Sequence, residues 1–242
     1  MFFFLPMPMT RILLLYVLAA VVPALFLMRY IYRHDTIEKE PASLLGSLVL
    51  CGVGAALVAS VVERVGEWIL NSALSQSSPY YLLVLAFVVV GAVEEGAKLF
   101  FLKMRTWKDW NFTHLFDGVV YSAFVSLGFA AYENIRYVFS YGLSVALPRA
   151  LFAIPGHLGF SVFMGVFYGR AKLCENRGDP AGRNKNLVLG YLLAVLLHGV
   201  YDACAMSGSG LATVIFYVFV AVMYFVVYRM VKRASETDRP VY

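Results

Sequence analysis

The sequence predicts an all-α fold, a polytopic transmembrane helical bundle, on three observations. Hydrophobic residues make up 61% of the 242 residues, charged residues make up only 14%, and the apolar residues occur in repeated long runs. Soluble domains are typically about 45–50% apolar and about 25% charged. The composition therefore excludes an ordinary soluble enzyme, a disordered chain and a nucleic-acid-binding protein, so we expect the lipid bilayer and no nucleic acid as a partner.

Each predicted span is an apolar run that is long enough to cross the bilayer. About 30 Å of hydrocarbon requires roughly 20 helical residues. About seven runs approach or exceed this length, at about 12–28, 43–62, 79–102, 117–140, 149–171, 187–206 and 210–230. Only a short Ser/Gly turn joins the sixth run to the seventh, which is typical of an antiparallel helix pair.

The distribution of Lys and Arg predicts the orientation of the bundle. These residues cluster in the loops after the first, third and fifth spans and beyond the seventh. The positive-inside rule therefore places the N-terminus outside and the C-terminus in the cytoplasm. The polar stretch 63–78 is then expected as an extracytoplasmic loop or a short helix on the membrane surface. No large soluble domain interrupts the chain, so we expect residues 1–242 to form a single integral membrane domain.

Several ionisable residues lie inside the predicted spans, where a charge costs several kcal/mol. A rise of 1.5 Å per residue places Glu133, His157 and His198 each roughly 12 Å from the outer ends of their spans. Helices of opposite direction thus bring polar groups to similar heights, which predicts one polar cavity open toward the outer leaflet. The full set is Glu94, Glu95 and Lys98 on the third span, Glu133 and Arg136 on the fourth, His157 on the fifth, and His198 and Asp202 on the sixth.

The spacing on the third span indicates which groups act together. Glu94 and Lys98 share a helix face at i,i+4, a pattern that is also typical of a simple intrahelical ion pair. Glu95 points about 100° away from Glu94, so one carboxylate can face the cavity while the other supports it. A carboxylate in such a site is a competent general base for a water molecule. Either His157 or His198 is then placed to stabilise an oxyanion.

The remaining polar groups have simpler interpretations beside the functional one. His198 and Asp202 share a helix face, so Asp202 either orients the imidazole ring or binds a metal ion together with it. Arg136 is expected to pair with Glu133, three residues earlier, or to extend outward to the membrane surface. Asn134 follows Glu133 directly and is expected to be a supporting hydrogen-bond donor.

Three short motifs occur in order along this core. Glu94–Lys98 resembles the EExxK motif of PrsW-type proteases, Phe129–Glu133 resembles their FxxxE motif, and His198–Asp202 resembles their HxxxD motif. The segment Pro155-Gly156-His157 lies where that family has an additional histidine. The related CAAX-processing and bacteriocin-processing proteases more usually have EExxxR, FxxxH and HxxxN. The resemblance covers about 80–206, which is the expected catalytic core.

The resemblance implies an intramembrane endopeptidase of the bacterial plasma membrane. Proteases of this type cut a single-pass anti-sigma factor on its extracytoplasmic side, and this site-1 cleavage precedes the release of the sigma factor. The resemblance also assigns roles to the buried residues. Glu94 and Glu95 provide the water-activating base and its support, Glu133, His157, His198 and Asp202 complete the site, and Lys98 and Asn134 support it.

Two mechanisms are compatible with these residues. One uses a glutamate-activated water without a metal ion, as relatives of the family suggest. The other is a metalloprotease site, which is how the family has been classified. The chain has no HExxH motif, yet Glu, His and Asp side chains are ligands that zinc accepts. One divalent ion such as zinc is then expected among Glu95, Glu133, His157 and His198.

Two functions outside enzymology compete with this interpretation. A proton- or cation-coupled transporter also uses chains of buried Glu and His residues. Secondary transporters usually show internal repeats with paired broken helices, whereas here only the fifth span has a Pro-Gly interruption. A non-catalytic receptor or scaffold leaves the buried Glu/His cluster unexplained. We therefore expect a peptidase, with the transporter as the alternative.

Overall fold

A computed structural model describes residues 9–242, and this part of the chain contains helices and no β-strand. The predicted all-α bundle is thus confirmed. The long helices are α1 (Met9–His34), α2 (Ala42–Ala73), α3 (the consecutive segments Tyr81–Val84, Leu85–Ala92 and Val93–Thr106), α4 (Asp117–Tyr141), α5 (Leu143–Asn176), α6 (Pro180–Met206) and α7 (Gly210–Glu236).

Five of these helices, α1, α2, α5, α6 and α7, are long and apolar enough to cross a membrane by length and composition. Buried charged residues lower the apolar character of α3 and α4. Length is sufficient even so, because the 25 residues of α4 rise about 37 Å at 1.5 Å per residue. The count of seven spans and the orientation with the N-terminus outside stay predictions.

α4 lies at the centre of the bundle, against α1, α2 and α5. Every residue from 117 to 130 is buried. Glycine permits this close approach, because a Cβ on Gly52 of α2 would lie 2.0 Å from the carbonyl oxygen of Val125. A Cβ on Gly128 would lie 2.4 Å from the carbonyl oxygen of Val49. Small residues of this kind let membrane helices pack backbone against backbone.

α5 contains a π-helical turn, Arg149–Ala153, shortly before His157. Pro155 has no backbone N–H, so the carbonyl of Leu151, four residues earlier, cannot receive the usual helical hydrogen bond. The hydroxyl of Tyr224 in α7 donates to that carbonyl instead, at 2.7 Å. The predicted Pro-Gly interruption is therefore a point where a neighbouring helix supplies the missing hydrogen bond.

α3 contains a longer π-helical segment, Leu85–Ala92, which ends just before Glu94. The hydroxyl of Tyr191 in α6 donates to the carbonyl of Ala92 at 2.9 Å. π-helical turns are rare and are often found at functional sites. Two of the helices that contribute buried ionisable residues thus change their winding just before those residues.

The polar stretch 63–78 differs from its prediction. It is neither a loop nor a separate surface helix over most of its length, because α2 continues without a break to Ala73. The cluster of Ser75, Ser77, Ser78 and Pro79, which disfavours a helix, follows the end of α2. Glu63 and Glu67 recur on one face of this helical part and line a cavity, whereas Arg64 and Asn71 are exposed.

Residues 237–242 pack against the connection that precedes α4, and we call this end of the bundle the tail end. The backbone N–H of Leu115 donates to the carbonyl of Arg239 at 3.0 Å, and that of Val241 donates to the carbonyl of Thr113 at 2.9 Å. Val241 is fully buried. The segment after α7 therefore fixes the position at which α4 enters the bundle.

Candidate active site

Buried ionisable residues from four helices meet around Lys98, which is only 2% exposed. Its Nζ donates to Oε2 of Glu94 at 3.1 Å and to Oε1 of Glu95 at 2.7 Å, and it lies 3.1 Å from Nδ1 of His157. The ring centroid of Phe129 lies 4.1 Å from the same ammonium group. The intrahelical pair of Glu94 and Lys98 is therefore one part of a larger network.

His198 on α6 faces carboxylates on both sides of its ring. Its Nδ1 lies 2.9 Å from Oε1 of Glu95, and its Nε2 lies 3.3 Å from Oδ2 of Asp202 and 3.9 Å from Oε2 of Glu94. The ring of Phe160 stacks on the imidazole, with centroids 4.8 Å apart. Nδ1 is within hydrogen-bond distance of Oε1 of Glu95, whereas Oδ2 of Asp202 receives no hydrogen bond among the described residues and faces the ring only as a neighbouring charge. Carboxylates on both sides of the ring favour the imidazolium form.

His157 on α5 is neutral in this arrangement. The ammonium of Lys98 has donors only, so Nδ1 of His157 accepts its hydrogen bond. Nε2 then carries the proton and donates to Oε2 of Glu133 at 3.0 Å. The hydroxyl of Ser126 donates to the backbone carbonyl of His157 at 2.9 Å and fixes the ring's helix against α4. The partners of the two ring nitrogens thus assign the tautomer.

Arg149 completes the network, although the sequence did not single it out as a site residue. Its guanidinium donates to Oε2 of Glu133 and to Oδ1 of Asn134, both at 2.9 Å, and lies 3.8 Å from the ring centroid of Tyr137. Asn134 in turn donates to the carbonyl of Ala20 at 2.9 Å. Asn134 therefore supports Glu133 through Arg149. The only signal in the sequence was a basic residue on the side of the bundle that has few of them.

Arg136 does not form the predicted pair with Glu133. It is exposed, and its guanidinium donates to the hydroxyl of Ser60 on α2. Glu133 faces α5, where His157 and Arg149 bind it. Although the two residues lie only three apart on α4, Glu133 contacts α5 and Arg136 contacts α2, so Arg149 takes the pairing expected of Arg136. The exposure of Arg136 fits the alternative expectation, that it extends outward.

The network lies at the inner end of a cavity of about 250 Å³. Burial decreases in one direction along the helices that line it. On α2 it falls from Ala56, which is 2% exposed, to the exposed Glu67, and on α6 it falls from His198 at 4% to Met206 at 49%. We call the exposed end of this cavity the mouth, and it lies at the opposite end of α4 from the tail end.

The adjacent carboxylates of α3 occupy different environments. Glu94 lines the cavity. Glu95 is fully buried behind it, and both Lys98 and His198 contact its Oε1. One carboxylate is therefore available to a molecule in the cavity, whereas the other fixes the charged groups around it.

One group of side chains could hold a metal ion. Glu94, Glu95 and His157 each place a donor atom within 4.8 Å of the others. Two carboxylates and an imidazole are chemically suited to zinc. Nζ of Lys98 contacts the same three side chains, so a metal ion would take the position that this ammonium now holds.

The set of donors differs from the predicted one. Glu95 and His157 belong to both, whereas Glu133 and His198 lie outside the group of three. Glu133 is already bound by Arg149, and His198 lies between carboxylates of its own, including Asp202. Each of these two residues contacts one member of the group, Glu133 at His157 and His198 at Glu95. Neither belongs to the set of donor atoms that all lie within 4.8 Å of one another.

Comparison with known proteins identifies the family. A family model described as PrsW family intramembrane metalloprotease matches residues 40–228, which include every predicted site residue. The chain belongs to this family. It is 33% identical to Protease PrsW of Oceanobacillus iheyensis over 218 residues, 90% of this chain and 95% of the relative. It is 32% identical to Protease PrsW of Clostridioides difficile over 86% of each chain, and 30% identical to that of Bacillus subtilis over 76% and 79% of the two chains.

Membership in the PrsW family establishes the class of protein. The chain is a membrane-embedded peptidase and an integral membrane protein of the bacterial inner membrane. The choice among enzyme, transporter and scaffold is thereby made in favour of the enzyme. No solved structure matches the chain significantly. The residues that line the cavity are therefore the basis for assigning the site.

Proposed function

We propose that this peptidase hydrolyses a peptide bond of a single-pass membrane protein with a water molecule that Glu94 activates. The observation that carries the proposal is the inner end of the cavity. There a carboxylate faces the open space, the imidazolium of His198 stands beside it, and the ammonium of Lys98 lies behind it.

The catalytic cycle requires one proton to move through Glu94. Its carboxylate accepts a proton from water while the water oxygen attacks the carbonyl carbon of the substrate. His198 lines the cavity with Nε2 between Glu94 and Asp202, so its N–H stabilises the negative charge on the carbonyl oxygen. Glu94 then gives the proton to the amide nitrogen as the C–N bond breaks.

The groups around these two residues hold their charges in place. Lys98 pairs with Glu94, and Glu95 pairs with His198. On the other side of the network, Glu133 pairs with both His157 and Arg149. Fixed charges need no reorganisation during the reaction. A divalent metal ion would be held by Glu94, Glu95 and His157 and would supply further polarisation of the water.

The resemblance and the predicted orientation together support a substrate class. The mouth lies at the C-terminal end of α4. The predicted orientation puts this end of α4 on the extracytoplasmic side. A single-pass anti-sigma factor cut on that side is the substrate that the resemblance implies. We therefore propose a site-1 cleavage close to the outer surface of the membrane.

The test is a cleavage assay of the purified protein in liposomes, against single-pass substrates that carry tags on both sides of the membrane. We expect wild type to cut on the extracytoplasmic side and Glu94→Gln to lose at least 100-fold in rate, since a general base contributes about 10²–10⁴. Glu236→Gln makes the same chemical change at an exposed site on α7 and should cleave like wild type. Mass spectrometry of the products locates the bond.

Two further arms make the assay decisive. A strong chelator, followed by added zinc, reports whether a metal ion takes part, because only a metal-dependent reaction is lost and then restored. Cleavage on the cytoplasmic side would contradict the proposed substrate geometry. Full activity of Glu94→Gln would contradict the assignment of the general base.

A further inference from the structure

One polar face of α2 extends the cavity from the reacting groups to the mouth. Ala56, Ser60, Glu63 and Glu67 recur about once per turn along this face, and all of them line the cavity. Glu63 lies about 5 Å beyond Ser60 in the direction of the mouth, at 1.5 Å per residue. It is half-buried, whereas Glu67, one turn further on, is exposed.

Glu63 has an unused acceptor. Its Oε1 is buried, and no group among residues 9–242 donates a hydrogen bond to it. A buried carboxylate oxygen without a partner costs free energy. The site is therefore incomplete as it stands, and a donor from a bound molecule would complete it.

The cationic side chains near Glu63 already pair with other groups. The charged groups that line the cavity with Glu63 include Glu94, Glu133, His198, Arg136 and Arg149. Arg149 is bound by Glu133. Lys98 is balanced by the two carboxylates of α3, His198 lies between carboxylates of its own, and Arg136 donates to Ser60. Glu63 thus contributes negative charge to the wall of the cavity without a cation bound to its free oxygen.

We propose that Glu63 is a specificity-determining residue that binds the positively charged side chain of a Lys or Arg in the substrate. The proposal rests on the proposed function and narrows its substrate to segments with a basic residue on the mouth side of the cleaved bond. Hydrogen bonds between charged groups are shorter and stronger than neutral ones, and low dielectric strengthens them further. Glu67 adds a weaker attraction, since it is exposed and screened by salt.

The test compares matched substrates that differ at one position. A single-pass substrate with alanine at the ten positions around the cleaved bond receives one Lys, or one Glu, at each position in turn. With wild type we expect one position at which Lys raises kcat/KM by about 10-fold or more over Ala and Glu lowers it. A tenfold preference corresponds to about 1.4 kcal/mol.

Variants assign that preference to one side chain. Glu63→Gln should reduce the ratio of Lys to Ala substrate to less than about 2-fold, and Glu63→Lys should reverse it in favour of the Glu substrate. Glu67→Gln should lower the ratio only slightly. Glu236→Gln, which lies on α7 far from the cavity, should leave the ratio as in wild type. Thermal unfolding of each variant establishes that the protein is folded.

The possible results separate this proposal from the one on which it rests. Cleavage by wild type with equal rates for Lys, Ala and Glu at every position would overturn the role of Glu63 and leave the peptidase mechanism standing. An equal loss on all substrates in Glu63→Gln would also overturn it, since the residue would then act on catalysis and not on recognition. Failure of wild type to cut any substrate would overturn the proposed function itself.

Discussion

At the scale of single residues, Glu94 and Glu95 should respond differently to the same substitution. Glu94→Gln removes the carboxylate that faces the cavity and leaves Lys98 its shorter contact, to Glu95 at 2.7 Å, so we expect loss of cleavage with a smaller drop in melting temperature than in Glu95→Gln. Glu95→Gln leaves the cations of Lys98 and His198 buried with one anion fewer. Breaking a buried ion pair costs about 3–5 kcal/mol, so this variant should lose both activity and stability.

Cleavage rates and thermal unfolding in the same detergent measure both effects. Glu236→Gln serves as the control, because its exposed carboxylate lies 3.8 Å from Lys232 at the surface and such pairs contribute about 0–1 kcal/mol. Equal destabilisation by the two active-site substitutions would show that the two carboxylates do not have separate roles.

Arg149 should act through the position of Glu133. Its guanidinium reaches Glu133 and Asn134 at once, which a single ammonium group cannot do in the same way. We expect Arg149→Lys to lower kcat about 10-fold with little change in KM, and Arg149→Gln to lower it further. Steady-state kinetics on one substrate distinguish this from a binding role, in which KM alone would rise and kcat would stay unchanged.

Residue types and the contacts within one helix, Glu94 with Lys98 and His198 with Asp202, were predictable from the sequence, whereas the pairings between helices were not. The rarity of charge within a span singled out Glu94, Glu95 and Lys98, and helical rise placed other groups at matching depth. Arg149 and Glu63 were missed, because their roles depend on partners that other helices supply. Periodicity describes one helix at a time and does not determine which faces meet.

At the scale of helices, the contact between α3 and α6 should tolerate no added atom. A Cβ on Gly199 would lie 2.2 Å from the ring of Phe87, in the π-helical segment of α3. Gly199→Ala should therefore separate the helices and lengthen the contact between Glu95 and His198. We expect a loss of about 1–3 kcal/mol in stability, as for other overpacked sites, and at least a 10-fold loss of cleavage.

Gly46→Ala is the matched control for this prediction. No heavy atom lies within 4 Å of a Cβ at Gly46 on α2, so the change should be neutral or stabilise the helix by about 0.5–1 kcal/mol. Thermal unfolding and the cleavage rate of both variants provide the comparison. Wild-type activity in Gly199→Ala would show that the contact between α3 and α6 does not position the site.

The helices themselves followed from composition, and their irregular parts did not. Seven apolar runs correspond to seven helices, because burial in lipid requires runs of this length. The extension of α2 from the predicted 62 to Ala73 was hidden by polar residues, of which Glu63 and Glu67 line a cavity. The π-helical turns of α3 and α5 depend on hydrogen bonds from Tyr191 and Tyr224, which lie far away in sequence.

At the scale of the whole molecule, the tail end holds a second group of buried carboxylates, remote from the cavity. Asp35 and Glu40 lie in the connection between α1 and α2 and are 1% and 5% exposed, and the fully packed Asp117 begins α4. Tyr121 donates to Oε1 of Glu40 at 2.7 Å, while Oε2 has no partner among the described residues. Asp238, in the segment after α7, accepts a hydrogen bond from the backbone at the start of α4. This group therefore joins the connection between α1 and α2, the start of α4 and the segment after α7.

The electrostatics of this group predict a pH-dependent stability. Burial, together with the carboxylates of Asp117 and Asp35, raises the pKa of Glu40 from 4.5 to about 8. Burial likewise raises the pKa of Asp35 from 3.8 to about 6. The folded protein thus binds these protons more tightly than the unfolded chain does. The resulting stability is complete below the unfolded pKa values and is lost as the pH rises through about 6 and then about 8.

We therefore expect the melting temperature to fall by several degrees between pH 6 and pH 9, given about 2–4 °C per kcal/mol for a chain of this size. Glu40→Gln keeps an oxygen for the hydroxyl of Tyr121 and cannot ionise, so it should raise the melting temperature at pH 9 and flatten its dependence on pH. Glu236→Gln, at an exposed carboxylate, should follow the wild-type curve. An unchanged slope in Glu40→Gln would contradict the role of this carboxylate. A lower slope would instead establish that the packing of the tail end is linked to a proton, independently of the chemistry at the mouth.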